Sequence, residues 1–163
     1  MSNKIVYVPA KTGRAYWVMG DLFTYLVTGE ESGESYFTLE VEIGPGNGPP
    51  PHVHHREEEQ FYILEGELTF RVGDQTFRAL KGDFVHIPRD TVHSFKNESS
   101  PAKLLATFTP AGIEQFFREV GDLVEDYSTP PPPVTDETIA RFMAEESNGW
   151  KDHHETLLPL GTQ

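Results

Sequence analysis

The chain has 163 residues, 37% of them hydrophobic and 12% aromatic, which suits one folded domain with a substantial core. Its 13 basic and 26 acidic side chains give a formal charge of −13, which excludes nucleic-acid and anionic-membrane surfaces, since both need basic patches. There is no cysteine, so disulfide scaffolds, Cys-ligated zinc, iron–sulfur clusters and thiol nucleophiles are excluded too.

The opening residues, MSNKIVYVPAKTGRAYW, lack the apolar core of a signal peptide, and no later run approaches a membrane span, so a cytoplasmic protein is expected. From Tyr16 to Val27, aromatic and β-branched residues are interrupted at Gly20 and Asp21. This is the pattern of two short strands around a turn, with Trp17 in the core. Gly29 to Ser35 is turn-like, and beyond it Phe37, Leu39, Val41 and Ile43 alternate with Thr38, Glu40 and Glu42. Strict period two of this kind marks a half-buried strand.

The stretch Gly46 to Gly66, GNGPPPHVHHREEEQFYILEG, crowds three histidines and a run of three glutamates together. If the residues after Pro49–Pro51 are extended, His52 and His54 point to one side as a ligand pair and Val53 to the other. His55 alternates outward. Glu59 shares the parity of Phe61 and Ile63, which puts its carboxylate at the mouth of an apolar interior; Glu57 has that parity but lies nearer a turn, and Glu58 points away.

Leu68, Phe70 and Val72 then alternate up to Gly73–Asp74, a two-residue hairpin signal leading to Thr76, Phe77 and Leu80. Lys81 to Asp83 reads as a turn, Phe84 to Ile87 as a strand carrying His86, Pro88 to Asp90 as a turn, and Val92 to Phe95 as a strand carrying His93. Leu104 to Phe108 gives one more. Eight or more short strands with almost no helical periodicity before residue 110 indicate a β-sandwich or barrel.

After Thr109 the period changes. Ile113, Phe116, Phe117 and Val120 fall at helical spacing, with Pro110 suited to a first turn and Gly121 to a C-cap. This helix should plug the barrel. Ser128 to Val134, STPPPPV, is an extended linker, which divides the chain into a core of residues 1–127 and a tail of residues 128–163. In the tail, Asp136 to Ser147 reads as a helix capped by Thr135 or Asp136, striped by Ile139, Phe142 and Met143, and stopped by Asn148 and Gly149. That stripe either lids the domain or covers a second subunit. Residues 111–163 hold 11 acidic and 3 basic side chains, and His153 and His154 are expected in solvent.

Gly46, His52-Val53-His54, Glu59 and Gly66, at their spacings, resemble the first motif of the cupin superfamily, and Gly82, Pro88, His93 and Asn97 resemble the second. The family pattern has glycine where this chain has Asp90, a residue that tolerates left-handed geometry better than most. The resemblance implies an all-β fold, the cupin double-stranded β-helix or jelly-roll barrel, with short C-terminal helices. It also implies one divalent transition metal ion per chain, Fe, Mn, Ni, Cu or Zn, held by His52, His54, Glu59 and His93. Three neutral imidazoles and one carboxylate suit such ions on chemical grounds as well.

Within the superfamily, the chain is similar to single-domain bacterial cupins related to quercetin 2,3-dioxygenases. That likeness implies a small-molecule substrate, aromatic or enolisable and bearing a hydroxyl, with dioxygen as co-substrate and Glu59 as general base. Phe61, Ile63, His86 and Phe95 are the candidates for the substrate pocket, and family habit suggests a homodimer. A metal-dependent isomerase or other non-redox enzyme, and a non-catalytic small-ligand-binding module, are the alternatives. The few bases near the motifs, Arg56, Arg71, Arg78 and Arg89, disfavour a phosphorylated sugar.

Overall fold

Period-two patterning and closely spaced turn residues make the first 110 residues almost entirely strand. The structure, a computed structural model, describes residues 4–98, 100–145 and 155–157. In chain order these form β1 (Ala15–Val18), β2 (Asp21–Val27), α1 (Gly29–Ser32), β3 (Phe37–Ile43), β4 (His52–His54), β5 (Glu58–Glu65), β6 (Glu67–Val72) and β7 (Gln75–Leu80). They continue with β8 (Phe84–Ile87), β9 (His93–Lys96), β10 (Ala102–Thr109), α2 (Glu114–Val120), β11 (Asp122–Leu123), α3 (Asp136–Glu145) and β12 (Glu155–Leu157). Two antiparallel sheets result: seven strands in the order β11-β1-β2-β3-β10-β5-β8, and five in the order β12-β4-β9-β6-β7. This is the all-β, two-sheet jelly roll expected of the sequence.

The apolar faces of the two sheets meet in one core. Phe37, Leu39, Val41 and Ile43 of β3 are all buried, and Phe61 of β5 packs against Phe70 of β6 across the sheets, 5.4 Å between ring centroids. The β1–β2 turn is made by Met19 and Gly20, at φ 50° and 87°. Two consecutive left-handed residues match the twist of a tight hairpin, so the break expected at Gly20 and Asp21 falls one residue earlier. Trp17 is only half-buried, contrary to expectation. Alternation along β1 turns Tyr16 and Val18 inward instead, at 5% and 4% exposure. The turn-like Gly29–Ser35 segment contains the single helical turn α1, whose start is fixed by the Thr28 N–H donating to the Glu31 carboxylate at 2.8 Å.

The closing helix α2 buries Phe116, Phe117 and Val120, with Ile113 buried just before it. It begins at Glu114 rather than at Pro110, because the Glu114 carboxylate accepts the N–H of Gly112 at 2.7 Å and of Gly29 at 2.8 Å, tying the helix start to α1. Gly121 is the C-cap, as expected, in extended geometry. The glycine is needed for space: a Cβ there would lie 2.7 Å from the Phe117 carbonyl oxygen and 2.9 Å from Tyr16 Cβ.

The tail lies against the barrel of its own chain. Phe142 of α3 meets Phe116 edge-on at 5.3 Å, and Arg141 pairs with Asp122 at 3.0 Å. Beyond α3, β12 runs antiparallel to β4, with Leu157 opposite His52 and Glu155 opposite His54. The stripe of Ile139, Phe142 and Met143 borders the interior of its own barrel, with Ile139 and Met143 about half exposed. The expectations for Asn148, Gly149, His153 and His154 lie outside the described residues. Among the described residues no helix is long and apolar enough to cross a membrane.

Candidate metal centre

Four side chains far apart in sequence meet because the barrel brings two strands of one sheet opposite a strand of the other. In the five-stranded sheet, His52 of β4 is the direct cross-strand partner of His93 of β9, and His54 lies two residues along β4 on the same face. In the seven-stranded sheet, Glu59 of β5 projects from the facing wall. One ligand atom from each of His52, His54, Glu59 and His93 falls within 4.8 Å of the others, and all four residues are buried. The imidazole centroids are 4.1 Å apart for His52 and His93, 4.9 Å for His52 and His54, and 5.2 Å for His54 and His93.

The loops that precede these strands orient the rings. His52 Nδ1 lies 2.8 Å from the Pro50 carbonyl oxygen, and His93 Nδ1 lies 2.8 Å from that of Thr91. A carbonyl can only accept, so each Nδ1 carries the hydrogen and each Nε2 is left facing the interior. Glu59 Oε2 stands 3.0 Å from His93 Nε2 and 3.2 Å from His54 Nε2. The Glu59 carboxylate and the two Nε2 atoms lie close enough to share one cation, and a divalent metal ion suits that donor set. The residues present therefore suit a single metal ion, one that would also tie the two sheets together.

Electrostatics in the site favour its metal-binding protonation states. Burial pushes the Glu59 carboxyl upward, but its contacts with His54 and His93 outweigh that and hold it down at about 2. Burial first, then repulsion from His93 and His54, lowers His52 to about 3, against the pull of Glu59. At neutral pH the site thus holds an ionised carboxylate and a neutral His52, the forms that ligate metals.

The second motif supports the first through its backbone. Asp90 adopts φ 61°, the left-handed conformation for which the family pattern has glycine. Its N–H donates to the His54 carbonyl at 2.8 Å, and its carboxylate meets His55 Nδ1 at 2.7 Å. Asn97, fully buried, receives the Gly46 N–H on its carbonyl at 2.6 Å and donates its side-chain amide to the Ile43 carbonyl at 2.9 Å. Gly48 lets β9 approach: a Cβ there would stand 2.0 Å from the Phe95 carbonyl oxygen.

Next to the tetrad lies a cavity of about 500 Å³, on which His52, His54 and Glu59 all abut. Of the four pocket candidates, Phe61 and Phe95 line it. The structure puts the other two pocket candidates elsewhere. Ile63 is fully buried in the core away from the cavity, and His86 is exposed on the outer face of β8, because Val85 and Ile87 take the inward positions of that strand. The rest of the lining includes Met19, Phe23, Phe108, Phe116 and Phe117. Glu57 is also buried, at 1% exposure, with Arg56 Nη1 at 3.6 Å; its shared parity with Glu59 was the available signal.

Two facing antiparallel sheets around an internal three-histidine, one-glutamate group define the cupin class of protein, and the chain belongs to the cupin superfamily. The cupin domain family Cupin_2 matches residues 39–108, which hold all four candidate ligands. More particularly, the chain is similar to the quercetin 2,3-dioxygenase of Bacillus subtilis, 33% identical over 115 residues, covering 70% of this chain and 34% of that protein. It is also similar to the quercetin 2,3-dioxygenase of Aspergillus japonicus, 31% identical over 126 residues, covering 72% and 36%. The chain thus spans about a third of the length of these curated relatives. Among solved structures, KdgF from Halomonas sp. superposes with a TM-score of 0.60 at 15% identity, over 68% of this chain and 99% of that one, a likeness of fold.

Proposed function

We propose that this protein is a metal-dependent dioxygenase acting on an aromatic or enolisable hydroxy compound, in keeping with relatives named quercetin 2,3-dioxygenase. The observation that carries the reading is a tetrad fit for a metal beside a cavity walled by aromatic rings, with no lysine or arginine among its described lining residues. Such walls suit a planar ring system and offer nothing to a phosphate. When bound, a divalent first-row metal supplies Lewis acidity toward a substrate oxygen and, for the redox-active ions, a path for electrons to dioxygen.

The chain's own groups supply orientation, water exclusion and a base. Carbonyls of Pro50 and Thr91 lock His52 and His93 in one tautomer, so the oxygen end of a ligand has a fixed reference. Phe61, Phe95 and Phe108 exclude water from around it. Glu59, ionised at neutral pH and facing the cavity, accepts the hydroxyl proton of the substrate. His54 and His93 damp its basicity, which rises as a ligand draws the carboxylate away from them.

We further place the protein in the cytoplasm as a homodimer. The pairing surface we assign is the outer face of β5 and β8, where the cross-strand neighbours Tyr62 and Phe84 stand 45% and 59% exposed at a sheet edge. The test of the reaction is oxygen uptake together with loss of flavonol absorbance, run on the chain loaded separately with Fe, Mn, Ni or Cu. Turnover with at least one ion supports the dioxygenase. Tight flavonol binding without turnover on any ion would replace it with a binding module.

A further inference from the structure

Helix α3 does more than cover the barrel: with Val134 before it, its apolar stripe forms the outer wall of the metal-site cavity. Val134, Ile139, Phe142 and Met143 line the same space as His52, His54 and Glu59. Aromatic contacts run without a break from the tetrad to this wall. His54 meets Phe108 at 5.6 Å, Phe108 meets Phe117 at 6.1 Å, Phe117 meets Phe116 at 5.8 Å, and Phe116 meets Phe142 at 5.3 Å. Ile139 and Met143 nevertheless remain 43% and 47% exposed. Apolar side chains that border a cavity and keep half their surface uncovered gain burial when an apolar ligand fills the space.

The way α3 is mounted fits such a role. The proline run before Val134 stiffens the approach, and the Arg141–Asp122 pair holds the opposite flank of the helix to β11. Among the described contacts, the wall is held by the exposed Arg141–Asp122 pair and by Phe142, which packs on Phe116 at the margin of the core.

We infer that Ile139, Phe142 and Met143 are specificity-determining residues: they close over the ring system of a bound ligand, two fused or linked rings or larger, whose oxygen-bearing end meets the metal group. The nature of that ligand rests on the dioxygenase reading; the position of the wall does not. Discrimination comes from the end of the ligand remote from the metal, so a one-ring molecule with the same oxygen donors gains nothing from α3.

The test has two arms in the full-length chain, chosen to fail independently. The sequence has no cysteine, so Ala106→Cys, on the cavity lining, provides a single thiol whose labelling by a dithiobis-nitrobenzoate reagent reports access to the cavity. Adding Ile139→Ala, Phe142→Ala and Met143→Ala together is expected to speed labelling about tenfold or more, and Ile139→Trp, which narrows the space, to slow it. In the second arm, 3-hydroxyflavone and 3-hydroxy-4-pyrone, which share one hydroxy-ketone head, are titrated anaerobically into metal-loaded protein. The triple variant should bind the flavone about tenfold more weakly and the pyrone within about twofold of the parent. Ile139→Trp should likewise reject the flavone and keep the pyrone. Labelling rates that do not change in either variant overturn the wall, as does an equal loss of both ligands. If labelling accelerates but the parent protein binds neither compound, the wall stands and the dioxygenase reading falls.

Discussion

Acidifying the metal-free chain should destabilise it in two separable steps, the first of which belongs to His52. An imidazole ordinarily titrates at 6.5, and that of His52 is lowered to about 3 because it is buried and faces His93 and His54. The unfolded chain therefore takes up a proton that the folded chain refuses, so stability is complete above 6.5 and falls as the pH drops toward 3. At about pH 5 the linkage amounts to about 2 kcal/mol, which is about 1 M in the urea midpoint of a chain this size. Glu59 acts later. Held at about 2 against an ordinary 4.5, it contributes about 3 kcal/mol that is present above 4.5 and lost as the pH falls to 2. Asp21 works in the opposite direction: burial raises its carboxyl despite hydrogen bonds from Asn47 and Gly44, so the folded chain binds that proton more readily and recovers part of the loss. The assay is urea denaturation in the presence of chelator between about pH 7 and pH 5, with His52→Gln measured alongside the parent. A parent midpoint that stays flat over this range, or a His52→Gln midpoint that falls just as far, would refute the reasoning.

Three further outcomes are expected. His93→Ala, which removes the ligand facing both His52 and Glu59, should reduce bound metal from about one ion per chain to a small fraction of that by elemental analysis, with far-ultraviolet circular dichroism unchanged; unaltered stoichiometry would remove His93 from the site. Glu59→Gln, assayed at matched metal content, should lower turnover about 10²- to 10⁴-fold while anaerobic flavonol binding changes only a few-fold; a rate close to the parent's would mean the base is another group. Asp90→Val should cost about 1–2 kcal/mol in thermal unfolding, because a β-branched residue is strained at the φ of 61° found there. Asp90→Gly should cost much less; an equal loss in both would show that the contact with His55, and not the backbone, matters at that turn.

Three of the candidate ligands were legible in the sequence from local strand parity, whereas His93 was set apart from His86 only by the resemblance to the second cupin motif. His52 and His54 are two apart after prolines that force extension, and Glu59 has the parity of Phe61 and Ile63. Parity fixes a face, however, without saying what lies on the far side of it. It left His86 open between inside and outside, and the pairing of β8 with β5 decided the matter: Val85 stands opposite Phe61 and faces the core, so His86 must face solvent. Trp17 was misplaced for a related reason. Both faces of β1 carry an aromatic residue, and burial went to the face holding Tyr16, whose ring lies 5.2 Å from that of Tyr25. Ile63 shows the converse limit, since it has the parity of Glu59 and Phe61 but sits four residues along the strand, about 13 Å from Glu59 at the rise of an extended chain, and so packs in the core beyond the cavity.

What the sequence could not show is how the cavity is completed, because its wall comes from elements with different periodicities. Met19 and Phe23 belong to a hairpin, Phe108 to a long strand, Phe116 and Phe117 to α2, and Phe142 to a helix separated from β11 by the twelve residues 124–135. Each alone reads as ordinary packing. Only the crossing of the two sheets gives them a common centre, and the same crossing sets three imidazoles from one sheet against one carboxylate from the other. The metal group and the aromatic walls thus depend on the same relation between sheets. A substitution that shifts one sheet against the other, such as loss of the Phe61–Phe70 contact, must then change metal affinity and ligand selectivity together, whereas changes confined to α3 alter selectivity alone.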